Sequence, residues 1–146
     1  MPRKLENHFH LLKLFLNDKL AKKWKILSLT NLNNKEIIKK LNKSKIFLSF
    51  SNLEGLGLPP LEAALSGNKI IGYTGEGGKD YFKKPIFEIV MNGDILTFSK
   101  KILKSVKTYE KLSFHKNINA IKARSLLAKK YSLSNEIKSL EEIFNL

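Results

Sequence analysis

Apolar residues recur at helical spacing at the front of the chain. Leu5, Phe9, Leu12, Leu16 and Leu20 fall on one side of an amphipathic helix expected over 5–21. The period then changes. Trp24-Lys25-Ile26-Leu27-Ser28-Leu29 alternates in part and predicts a short strand. Asn33 or Asn34 suits the cap of a second helix, with Ile37, Ile38 and Leu41 on its apolar side. From Lys45 the run KIFLSFS is almost wholly apolar and rich in strand formers, the pattern of a strand covered on both faces. Pro59 and Pro60 predict a helix start, Leu61, Ala63, Ala64 and Leu65 continue it, and Gly67 is placed to end it in a left-handed cap. Another strand is expected over 68–74, a glycine-rich loop (GEGGKDYF) from Gly75, and a weak strand over 87–90. Helices are expected over 93–112, 116–130 and 133–145, the last with Ile137, Leu140 and Phe144 along one side.

Strand and helix thus alternate, with short connections, through the first ninety residues. The class this predicts is α/β, a Rossmann-like three-layer domain with a mainly parallel sheet. Such sheets take ligands at the carboxyl ends of their strands. The stretch SNLEGLGLPPLEAALSG, 51–67, is one loop of that kind, and GEGGKDYF is another. A helix start offers unpaired N–H groups to a phosphate. Gly55 and Gly57 let backbone approach a ligand closely, while Glu54 and Glu62 can accept hydrogen bonds from vicinal sugar hydroxyls. Each has an ordinary role too: Glu62 is read in the first helical turn, where the dipole favours any acid, Glu54 suits an exposed loop, and Gly57 a turn. Their order after a buried strand is what points to a sugar nucleotide.

Composition narrows the classes. The length of 146 residues fits one domain. There is no cysteine, which excludes disulfides and thiolate metal sites and fits a reducing cytosol. No apolar run approaches the ~20 residues of a membrane span, and Glu6, His8, His10 and Lys13 interrupt any signal-peptide core. A cytoplasmic location is expected, with peripheral contact at the inner face of the membrane open to so basic a chain. The net charge is +14, yet Arg3 and Arg124 are the only arginines and the lysines are scattered. That distribution fits a solvated surface better than a phosphate-tracking one. No basic strand interleaved with aromatics supports a specific nucleic-acid partner. His8 and His10, two residues apart, do not share a helical face, so no metal site is expected. GEGGKD lacks the spacing of a Walker loop.

The segment EGLGLPPLEA resembles the E-x₇-E motif of retaining glycosyltransferases with the GT-B fold, the group 1 or family 4 type. Their usual form is close to EGFGLPPLEAMACG, against EGLGLPPLEAALSG here. The likeness covers 45–82, and YSLSNEIKSLEEIF resembles the closing helix of that family more loosely. The resemblance implies that 1–146 is a single nucleotide-sugar-binding domain, the C-terminal half of a GT-B fold, with the N-terminal acceptor domain absent. It implies that Glu54 holds hydroxyls of the transferred sugar and Glu62 those of the ribose. The amides of Gly55, Leu56, Gly57 and Leu58 would approach sugar and diphosphate, and the loop with Gly77 and Gly78 would close over the donor. Arg3 and Lys4 match the cations that neutralise a departing diphosphate; an ordinary basic terminus is the equal alternative. By the same resemblance a nucleoside diphosphate sugar would serve as donor, with no cofactor or catalytic metal expected, and the acceptor would be a glycan, a lipid or a small molecule.

Departures from the pattern are Leu56 for the usual phenylalanine, Asp80 for a longer acid, and the apparent lack of one strand–helix unit before Trp24. Two readings follow. One is the donor-binding half of a transferase, working with a separate N-terminal domain or through self-association. The other is a non-catalytic remnant, or a nucleotide-binding module that depends on a partner.

Overall fold

The computed structural model describes residues 6–16, 19–20, 24–52, 55–111 and 117–144. In chain order these form α1 (Glu6–Leu16), α2 (Asn34–Lys43), β1 (Ile46–Ser51), α3 (Leu58–Leu65), β2 (Lys69–Thr74), a 3-10 turn (Gly77–Asp80), β3 (Phe87–Ile89), α4 (Ile95–Lys111), α5 (Ile118–Lys130) and α6 (Leu133–Phe144). The strands make one sheet in the order β1-β2-β3, both pairs parallel. Ile46 is opposite Lys69 and Ile70 opposite Phe87. The class is α/β, compatible with a Rossmann-like domain.

Period two puts successive β2 residues on opposite faces, and both faces are covered. Ile70 joins Leu41, Leu61, Ala63, Ala64, Phe82, Phe87 and Leu127 on one side. Ile71 and Tyr73 join Leu12, Leu16, Phe98, Ile102 and Val106 on the other. Helices α2, α3 and α5 therefore cover one face, and α1 and α4 the other. Phe98 is wholly buried, with its ring centroid 5.2 Å from Phe50 and 5.5 Å from Tyr73. Burying such a ring contributes about 1.5–3 kcal/mol. Ser49, a polar residue in a covered strand, is satisfied by donating to the Tyr73 carbonyl at 2.8 Å.

Local signals set most boundaries. Asn33 closes a capping box with Glu36, its side chain accepting from the Glu36 N–H while the Glu36 carboxylate accepts from the Asn33 N–H. Gly67, at φ +95°, ends α3 as expected. The Gly67 N–H reaches the Ala64 carbonyl and the Asn68 N–H the Ala63 carbonyl, the two bonds of a Schellman motif. The Asn68 amide, wholly buried, donates to the carbonyls of Leu41 and Ala63, tying the ends of α2 and α3 together. Arg124 of α5 adds Nε to the Ala64 carbonyl (3.0 Å) and a longer Nη2 contact to that of Gly67 (3.4 Å). Arg124→Ala is expected to cost about 1–2 kcal/mol, because the part-buried Ala64 and Gly67 carbonyls lose the hydrogen bonds of the guanidinium. Thermal melts followed by circular dichroism should show Tm lower by about 2–8 °C. Arg124→Lys should not restore it, since an ammonium lacks the planar fork.

Two expectations need correction, and a third holds with an unexpected exposure. The first helix stops at Leu16, where the Lys19 N–H turns back to the Leu16 carbonyl, so it falls short of residue 21. Residues 24–30 form no strand. Their side chains do alternate, Trp24 and Ile26 packing with one core cluster and Leu29 with the other. A cavity of about 610 Å³ lies against both this segment and β1, and no ladder joins them among the described residues. The last helix has its apolar side, but Ile137 and Leu140 on it are each 47% exposed. Among the described residues, no helix is long and apolar enough to cross a membrane.

Candidate functional site

The carboxyl ends of three parallel strands gather Asn52, residues 55–57, 75–76 and 90–94 on one side of the sheet. Residues 55–57 lead into α3 through Gly57, which sits at φ +67°, ψ +60° and caps the helix without a side-chain bond. A side-chain cap would have little to serve here. Such caps accept from the second or third helical N–H, and those positions are Pro59 and Pro60. The N–H groups left without an intrahelical partner by geometry are those of Gly57 and Leu58. The other end of α3 is held by the Schellman bonds and by Arg124, so its start is presented on a fixed base.

The second glycine-rich loop meets the first. A Cβ placed on Gly77 would lie 2.1 Å from the Gly55 carbonyl oxygen and 3.0 Å from the Leu56 Cα, so the two backbones touch where only glycine fits. Tyr81, at the end of the 3-10 turn, donates its hydroxyl to the Gly57 carbonyl at 2.5 Å. A third bridge runs from the β3–α4 loop, where the Asn92 amide donates to Asn52 Oδ1 at 2.8 Å. Deeper in, Tyr73 at the end of β2 reaches His8 Nδ1 from α1 at 3.3 Å. Burial pushes the Tyr73 phenol above its ordinary range. Asp94 caps α4, and the bonds from Thr97 hold its carboxyl below the usual carboxylate value.

Of the residues singled out from the sequence, Gly55, Leu56 and Gly77 are brought into contact. Gly57 and Leu58 follow directly at the start of α3, and Gly78 is buried behind the loop against Phe82 and Thr74. Glu62 is not in the first turn as expected. Leu58 and both prolines precede it, so it stands fifth in α3, one turn along, exposed and with no partner among the described residues. Asp80 is exposed at the end of the 3-10 turn. Glu54, Arg3 and Lys4 lie outside the described residues. Tyr81, Asn52 and Asn92 were missed by sequence reasoning. The Asn-Gly pair at 92–93 marks a turn, but nothing in the sequence says which loop that turn would face. Among the described residues, no group of three or more His, Asp or Glu is placed to hold a metal ion.

The site is therefore a close meeting of two glycine-rich backbones at a helix start, with an exposed carboxylate one turn along the helix. It can present donors to an anion and an acceptor to hydroxyls. Across known proteins, an 86-residue stretch is 26% identical to an alpha-1,6-glucosyltransferase of Actinobacillus pleuropneumoniae serotype 7 (strain AP76), covering 57% of this chain and 26% of that protein. The chain thus matches about a quarter of that relative's length. No family profile and no solved structure matches.

Proposed function

We propose that this chain is the donor-binding half of a retaining glycosyltransferase of the GT-B type, holding a nucleoside diphosphate sugar at the carboxyl edge of its sheet. The observation that carries the proposal is the meeting of the two glycine-rich loops at the start of α3, at the segment that resembles the E-x₇-E motif. Similarity of part of the chain to a glucosyltransferase supports it. The diphosphate lies along the amides of Gly55 to Leu58, where the helix start favours negative charge. Glu62 takes the ribose hydroxyls and Glu54 those of the transferred sugar. Gly77 and Gly78 form the wall that closes on the donor.

In the complete enzyme an acceptor hydroxyl attacks the anomeric carbon from the face the diphosphate leaves. The carbon–oxygen bond to phosphate breaks, the new glycosidic bond forms, and the hydroxyl proton passes to the departing phosphate. Arg3 and Lys4 stabilise that leaving group. Turnover belongs to an assembly that also supplies an acceptor-binding part.

The test is an NMR titration with UDP, GDP and ADP and their sugar conjugates. Shifts at Gly55 to Glu62 and at the Gly75 to Gly78 loop identify the base and support the pocket. Shifts with no nucleotide would leave the motif as scaffold alone. Glu62→Ala should weaken the preferred nucleotide about tenfold or more, the loss of charge-assisted hydrogen bonds of about 1.5–3 kcal/mol. The fold should be unaffected, since Glu62 is exposed. Unchanged affinity would remove the ribose contact from the proposal.

A further inference from the structure

We propose that the outer surface of the α1–α4 layer docks on a bilayer that contains anionic lipid. The inference is independent of the nucleotide site. The two helices pack side by side over one face of the sheet, where Leu12 and Leu16 of α1 meet Phe98, Ile102 and Val106 of α4. At 3.6 residues per turn, the opposite sides of both helices face outward. On α1 that side presents Leu14 at 72% exposure, Leu11 at 45% and Phe15 at 38%, and Leu96 of α4 is 50% exposed. One exposed leucine is ordinary. Four large apolar side chains on a single two-helix surface make a patch.

Charge selects the occupant. Lys100, Lys104 and Lys107, all exposed, recur at helical spacing along the outer side of α4. On α1, Lys13 is exposed beside the leucines, and Lys19, just past the helix, holds its Nζ 5.9 Å over the Phe15 ring. The acid of α1 is Glu6, in its first turn, and that of α4 is Glu110, in its last; neither helix has another. Lysines around an apolar stripe suit a helix lying in a membrane interface, with stems along the hydrocarbon and ammonium groups at headgroup level. Nucleic acid would use the lysines and leave the leucines in water. Helix α6 is the contrast. Its Leu133, Ile143 and Phe144 are as exposed, but Glu136, Glu141 and Glu142 outnumber Lys138, so anionic lipid repels it.

Co-sedimentation of the whole chain with vesicles is the test. Phosphatidylcholine vesicles carrying phosphatidylserine should bind the chain at least about tenfold more tightly than phosphatidylcholine alone, and salt should weaken the binding. Lys100→Gln with Lys104→Gln and Lys107→Gln should lower the partition about a hundredfold. Leu14→Gln should lower it about tenfold, and Leu133→Gln on α6 should leave it unchanged. All of these residues are exposed, so the substitutions spare the fold. In NMR spectra with a nitroxide-labelled lipid, the amide signals of 11–15 and 96–107 should broaden. Broadening at 118–144 instead would overturn the proposal, as would equal binding to neutral and anionic vesicles, or binding to neither. Glycerophosphoserine displacing the chain from vesicles would replace the docking surface by a headgroup pocket. Binding to duplex DNA at a salt concentration where vesicles are not bound would assign the lysines to nucleic acid.

Discussion

Gly72→Ala is expected to lower Tm by about 10 °C, a loss of about 3–4 kcal/mol. Gly72 lies in the middle of β2, between Ser49 of β1 and Ile89 of β3. Its φ is +143°, and a Cβ there would sit 2.0 Å from the Ser49 carbonyl oxygen and 2.8 Å from the carbonyl carbon. Those are backbone atoms of a paired strand, so no flexible side chain can give way. Holding a non-glycine residue in so sparsely populated a conformation costs about 1–3 kcal/mol by itself, and relieving the collision means pulling β1 from β2. Gly93→Ala is the control. It also has a positive φ, +85°, but the nearest atom is His8 Cε1 at 4.0 Å. Only the conformational strain applies there, about 1–2 kcal/mol. Equal losses in thermal melts of the two variants would show that the β1–β2 approach is not as close as described.

Gly77→Ala should act on the site rather than on the fold. Its methyl would meet the Gly55 carbonyl at 2.1 Å and force the two loops apart, while the cores on either side of the sheet are untouched. Nucleotide affinity is expected to fall at least tenfold, about 1.4 kcal/mol, with Tm shifted by no more than about 4 °C. The neighbour provides the comparison. A Cβ on Gly78 makes ordinary contacts, 3.5 Å to the Phe82 ring and 3.6 Å to Thr74, so Gly78→Ala should keep both affinity and Tm. A readout without ligand separates the geometry from the proposed function. In the free Gly77→Ala chain the amide signals of Gly55 and Leu56 should move, and in Gly78→Ala they should not. Static signals in both would remove the loop contact; moved signals with intact affinity would remove only its role in binding.

Helices were legible in the sequence where their signals are local. Asn33, three residues before Glu36, and Gly67, just past the last apolar residue of α3, act on backbone groups within one turn. The order of β1 and β2 around a glycine–proline loop was equally readable, because a buried strand shows as an apolar run. The segment 24–29 was not. Its side chains alternate as a strand's do, but a ladder needs a second edge at 4.7–4.9 Å, and a cavity lies against both it and β1. The apolar side of α6 could be read from the sequence, whereas its exposure depends on what packs there. In the site, Gly55, Leu56 and Gly77 could be named as glycine-loop residues. The pairing between them could not, and neither could Tyr81.

What the sequence by itself determined is therefore short-ranged: helix and strand periods, caps, the proline-started α3, and a composition without thiols. Periodicity and capping depend on residues a few positions apart, so the chain carries them before it folds. The tertiary structure alone decided which glycines are irreplaceable. Gly72 reads as an ordinary strand glycine, and Gly77 does not stand out from Gly78 beside it, until the fold brings Ser49 against the first and Gly55 and Leu56 against the second. Tyr81 gains its partner, the Gly57 carbonyl, across twenty-four positions of sequence in the same way. Those contacts exist only once β1 and β2 are aligned, and no local pattern records an alignment.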